Sequence, residues 1–197
     1  MSDARLRALE RAAAGGDESA RAALLVERAR LGRVPEGRLA VAALLGEPAA
    51  RTALGPRAPA ASKDVARFVR AVCKQDPQAA DRVVLAVAEL DLGARAEWPE
   101  LADWSLVAAA AARAWVERPS AAARQRLVEA AEAYCWRGQA EVMDAGQVVA
   151  TALRALGAGD ATEDAVRAVK AAARLLGEET VRTALRGALR AWALGEP

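Results

Sequence analysis

LLGEPAARTALG, residues 44–55, and LLGEETVRTALRG, residues 175–187, decide how this chain folds. Each reads Leu-Leu-Gly-Glu, a three-residue gap, then Arg-Thr-Ala-Leu, with a glycine one or two positions further on. Leu-Leu forms the last turn of one helix. The glycine can take the left-handed backbone that ends a helix without a Cβ clash. The glutamate stands at the start of the next helix, where a negative charge meets the positive end of the helix dipole. Leu54 and Leu185 then return to the core side. The string therefore predicts one structural joint, helix–glycine–helix, used twice. The chain draws on few residue types, so the match does not by itself establish an internal duplication.

Working outward, the same punctuation counts the helices. Gly15-Gly16 ends a helix over 3–14, and Asp17 caps one that runs to Leu31 before Gly32. Pro35 suits a first helical position, and that helix reaches Leu45. Pro48 opens a short helix to Leu54. GPRAPAAS, 55–62, with two prolines and no apolar period, reads as a linker. Ser62 caps a helix to about Lys74, and Asp76-Pro77 opens another to about Leu92. Trp98-Pro99 breaks the chain before an Ala-rich helix over about 101–117. Pro119-Ser120 starts a helix to about Trp136, and Gly138 is expected to separate it from one over 139–156. The last two helices are expected over 163–176, capped by Asp160 or Thr162, and over 178–194, divided by Gly177.

Composition agrees with this count. Hydrophobic residues make up 54% of the 197, much of it alanine, with one Phe, one Tyr and no Ile. Ala, Leu, Arg and Glu favour helices, and β-branched or aromatic residues are scarce apart from valines and five tryptophans. The expected class is all-α, either an irregular helical bundle or a helical-repeat (HEAT-like) array of about ten helices. The expected organisation is an N-terminal helical module over 1–55, a linker over 56–62 and a helical domain over 63–197. Trp104 and Trp115, about three turns apart, share one helix face and are expected in the core.

The chemistry that the residues permit is narrow. There is no histidine, the commonest general base and metal ligand. Cys73 and Cys135 stand far apart, so no usual structural zinc site is expected. The glycines form no phosphate-cradling motif, and Gly157-Ala158-Gly159 leads only to Asp160. Carboxylate pairs such as Glu178/Glu179 read as caps and solvated charges. No catalytic residue, cofactor site or metal site is expected. The charged N-terminus MSDARLRALERAAAGG predicts no export signal, and no apolar run approaches the roughly 18 residues that a bilayer requires. These features predict a cytoplasmic protein with no membrane contact.

Charge placement says more than the net charge of +2. Arg182, Arg186 and Arg190 recur at i, i+4, i+8 on the last helix, and Arg167, Lys170 and Arg174 recur on the helix before it. Residues 180–194 contain no acid, whereas 89–103 hold five acids and one base. A basic helix face for a partner is expected at Arg174, Arg182, Arg186 and Arg190, with Trp98 as an aromatic anchor. A solvated face accounts for the same stripe.

ERARLGRVPEGRLAVAALLGEPAARTALG, 27–55, resembles the N-terminal module of a group of small all-helical bacterial proteins from high-GC genomes. That module ends in a Leu-Gly-x-Pro-Ala-Ala-Arg-x-x-Leu-Gly run. AAAARAWVERPSAAARQRLVEAAEA, 109–133, resembles a second stretch of the same group. The resemblance implies the helical fold and carries no activity. Some members have cysteines near the position of Arg118-Pro119-Ser120, and this chain has none there. The reading that emerges is a non-catalytic protein–protein interaction protein, a scaffold, adaptor or immunity-like inhibitor, binding a partner through the basic face. A nucleic-acid-binding helical protein and a self-associating structural subunit are the alternatives.

Overall fold

Alanine and glycine bring the helices close, and a few larger side chains fill what remains. The computed structural model describes the backbone of residues 3–94, 99–141, 156 and 161–195, and the side chains of 4–91, 93, 106–133, 156 and 161–195. Among these the protein is all-α, with ten α-helices: α1 (Asp3–Ala14), α2 (Glu18–Arg30), α3 (Glu36–Leu44), α4 (Pro48–Leu54), α5 (Val65–Gln75), α6 (Gln78–Ala94), α7 (Pro99–Glu117), α8 (Ala121–Glu141), α9 (Ala161–Leu176) and α10 (Glu178–Leu194). The expected helix over 139–156 falls largely on residues outside the described ones.

The joint behaves as its residues dictate. Gly46 has φ 96° and Gly177 has φ 90°, so both need the left-handed region. Leu54 and Leu185 are both buried behind them. Asp17 caps α2 by accepting hydrogen bonds from the Ser19 and Ala20 amides at 2.9 and 3.1 Å. Several boundaries differ from expectation; the helix expected over 163–176 begins at Ala161, so Thr162 lies within it and does not cap it. Pro35 is the residue before α3, with extended ψ, and α3 begins at Glu36. Asp64, not Ser62, caps α5, because its carboxylate takes the Arg67 amide at 2.7 Å. Gly138 lies within α8. A helical glycine costs only about 1 kcal/mol relative to alanine, and Arg137, Gln139 and Glu141 around it all favour helix.

One cluster of buried apolar side chains runs from Ala22 to Leu194, drawing on α2–α10 and Leu156. α10 lies against α3, α6 and α9, while α9 also covers α5 and α6. The α1–α2 hairpin rests on α4, and the α7–α8 hairpin is attached through α6. The α3–α10 and α5–α9 contacts join distant stretches of chain, whereas each unit of a linear array touches its neighbours. Phe68, Leu185, Leu189 and Val83 are among the fully buried side chains. Each such burial contributes about 1.5–3 kcal/mol. Side chains of α2–α4 and of α5–α10 share this core, whereas Leu6 and Ala13 of α1 cluster separately with Leu24. The 56–62 stretch is tied down: Arg57 pairs with Glu36, and the Ser62 and Lys63 carbonyls accept hydrogen bonds from Arg182.

Candidate functional site

The arginines expected to form one basic face are distributed over different surroundings. Four residues turn an α-helix about 40° past a full turn, so Arg182 and Arg190 lie about 80° apart around α10. Arg182 joins the inward row of Leu185, Leu189 and Trp192 and is 9% exposed. Its guanidinium donates to the Ser62 carbonyl at 2.9 Å, to the Lys63 carbonyl and to Glu178 Oε1 at 2.9 Å. It also lies 5.9 Å from the Phe68 ring centroid. The same Glu178 oxygen accepts the Val65 amide at 3.0 Å. Arg182 is thus a buried clamp between α10 and the start of α5, not a surface contact.

Arg186 is exposed on the outer side of α10, and Arg174 is exposed near the end of α9. Arg190 reaches across to α4, where its Nε donates to Glu47 Oε2 at 2.9 Å. Glu47 and Glu178 are the glutamates of the two joints, and each holds an arginine of α10. Trp98 lies outside the described residues. The acidic 89–103 stretch does not present all its charges outward: Asp91 is 1% exposed and Glu89 pairs with Arg113. Trp115 is half-buried against the core, and the Trp104 side chain lies outside the described ones.

Arg190 borders a cleft of about 310 Å³ between the α1–α2 hairpin, α4 and α10. Its apolar lining comes from Ala13, Leu24, Leu25, Ala49 and Leu194, and its charged lining from Glu10, Arg21, Arg28, Glu47 and Arg190. Local geometry places each. Leu194 sits one turn beyond Arg190. Arg21 is held to the Ala13 carbonyl at 3.2 Å, and Arg28 faces Glu10 at 3.9 Å. The result is an apolar depression ringed by three cations and two carboxylates.

A second cluster lies on another side of α10, where it meets α3 and α6. Arg38 and Arg82 place their cationic carbons 4.7 and 5.0 Å from the Trp192 ring centroid. Arg38 donates to Gln78 Oε1 at 2.9 Å, and its Nε is 3.5 Å from Asp76 Oδ2. Burial pulls the Arg82 pKa below the usual arginine value, and the Arg38 charge pulls it further; Glu117 and Asp76 oppose the shift. Spacing along the chain could not have found this cluster, since its members come from three separate helices. Trp192 alone carried a signal, as the bulkiest residue of the inward row of α10.

Cys73 is buried in α5, and burial pushes its thiol up to about 11. Among the described residues no group of three or more Cys, Asp or Glu side chains could hold a metal ion, and no helix is long and apolar enough to cross a membrane. No protein-family model, no curated protein and no solved structure matches the chain.

Proposed function

We propose that this protein is a non-catalytic helical interaction module that docks a partner protein at the cleft between the α1–α2 hairpin, α4 and α10. The observation that carries this reading is the anatomy of that cleft. An apolar floor of Leu24, Leu25 and Leu194 lies inside a rim of Arg21, Arg28, Arg190, Glu10 and Glu47. Protein interfaces have this layout, with an apolar centre that excludes water and a charged rim that steers and orients the partner. A volume of 310 Å³ suits one or two large apolar side chains. Rim charges of mixed sign favour a partner segment that carries an apolar anchor flanked by charge.

The test is capture of the partner on immobilised protein after nuclease treatment, comparing the unaltered chain with Ala14→Trp. Ala14 is exposed at the cleft mouth, so the indole would fill the depression without disturbing the core. A partner bound at least tenfold more weakly by Ala14→Trp is expected. Equal capture by both chains, or loss of the partner on nuclease treatment, contradicts the reading.

A further inference from the structure

One face of α8 is complementary to its own reverse. Ala122, Arg126, Glu129 and Ala133 recur at intervals of four, three and four. At about 100° per residue they fall within about 60° of one another around the helix. Ala122, Arg126 and Glu129 are exposed, and Ala133 is half-buried. Glu129 accepts a hydrogen bond from Gln125 Nε2 at 2.9 Å. Arg126 stands one turn from Glu129, yet it makes no ion pair with it or with any other carboxylate among the described residues.

This face borders an open groove. Val107, Ala110 and Ala114 of α7 and Ala130 and Ala133 of α8 line a trough of about 520 Å³, and its charged lining is Arg126 and Glu129. Val107 is 55% exposed, and Leu106 beside it is 70% exposed. The alanines leave room for another helix to approach closely, since the distance between packed helices is set by the side chains at the contact. Contiguous apolar surface left open to water marks an interaction site.

The order of the charges selects the occupant. A second α8 can lie antiparallel across the face, related to the first by a two-fold axis between residues 127 and 128. Arg126 of each helix then meets Glu129 of the other, and Ala122 of each meets Ala133 of the other. The same patch serves both copies, as a two-fold contact requires. A parallel copy would set Arg126 on Arg126 and Glu129 on Glu129, and like charges repel. In the antiparallel arrangement α8 of each chain enters the α7–α8 groove of the other. Val107 stands at the Ala133 end of that groove, because α7 and α8 form a hairpin, and so covers the Ala122 end of the incoming helix. The two ion pairs lie at the centre of the contact, away from water, where losing one partner leaves the other charge buried alone.

We propose that the protein forms a two-fold dimer through its α7–α8 hairpin, with α8 antiparallel to its copy and Arg126 of each chain paired with Glu129 of the other. The groove shares no residue with the cleft between the α1–α2 hairpin, α4 and α10, so the dimer and a partner at the cleft are independent.

The test is sedimentation velocity of the whole chain over a concentration series, with far-UV circular dichroism to confirm that each variant keeps its helices. The unaltered chain is expected to pass from monomer to dimer. Arg126→Glu and Glu129→Arg are each expected to weaken the dimer at least tenfold, because each puts like charges at both central contacts. An equal mixture of the two variants is expected to regain the dimer, since every Glu then faces an Arg, and so is the chain carrying both changes. Arg186→Glu, on α10, is expected to have no effect. A chain that stays monomeric throughout the series overturns the proposal. A dimer indifferent to both reversals, or weakened as much by Arg186→Glu, overturns this surface. Reversals that weaken the dimer without recovery in the mixture overturn the Arg126–Glu129 pairing.

Discussion

Arg182 shows how a single side chain can be misread from its spacing. In the linear sequence it begins a regular basic stripe. In the fold the stripe drifts around α10, and the inward row of Leu185, Leu189 and Trp192 carries Arg182 into the interior. What spacing does not show is that the 62–64 turn leaves two carbonyl acceptors where that guanidinium arrives. Arg182→Met is expected to lower stability by about 2–4 kcal/mol in urea denaturation, because it removes three hydrogen bonds of a buried side chain and leaves the part-buried Ser62 and Lys63 carbonyls without that donor. Arg186→Ala, at an exposed position, is expected to stay within about 0.5 kcal/mol.

Cys73 makes the second prediction at this scale. Burial raises its folded pKa from 9.0 to about 11. The unfolded chain therefore loses the thiol proton first. Stability associated with this group is complete below pH 9 and declines as pH rises toward 11, with a slope approaching about 1.4 kcal/mol per pH unit. Cys73→Ala in a Cys135→Ser background is expected to flatten stability against pH in that window. A slope that persists in the alanine variant would assign it elsewhere.

At the scale of elements, most helix limits could be read from the chain, because glycine, proline and acidic caps punctuate it. α1, α4 and α10 begin and end where the sequence places them. The misses have local causes. Ser62 gives way to Asp64 as the cap of α5, since a carboxylate accepts more strongly than a hydroxyl and the Ser62 carbonyl is engaged by Arg182. Gly138 does not interrupt α8, since its neighbours favour helix. The joint itself predicts that Gly46→Ala and Gly177→Ala each cost about 1 kcal/mol or more, read as a lowered denaturation midpoint, because alanine at positive φ is strained. Gly37→Ala is expected to cost more than either, about 1–3 kcal/mol, since its methyl group meets a backbone carbonyl rather than open space.

At the scale of the whole molecule, the class and the helix count were legible in the sequence, and the way the helices close on one another was not. Helix periodicity says which face is apolar but not which distant face covers it. The chain therefore read as a 1–55 module and a linker, with the packing of that module on the rest left open; α3 packs on α10 and shares its core. Two ties that the sequence did not announce secure this closure: Arg182 to the 62–63 carbonyls and Arg190 to Glu47. The cleft forms where the α1–α2 hairpin rests on α4 and Glu47, at the start of α4, is tied to Arg190 of α10. The account thus stands on residues 1–55 and α10 belonging to one cooperative body. Native-state hydrogen exchange in low urea measures this directly. The most protected amides of α3, over 39–44, and of α10, over 181–189, are expected to open with the same free energy, within about 1 kcal/mol, and the same urea dependence. Exchange of the α3 amides through a separate opening several kcal/mol lower would show that the N-terminal helices come away alone, and would contradict the account.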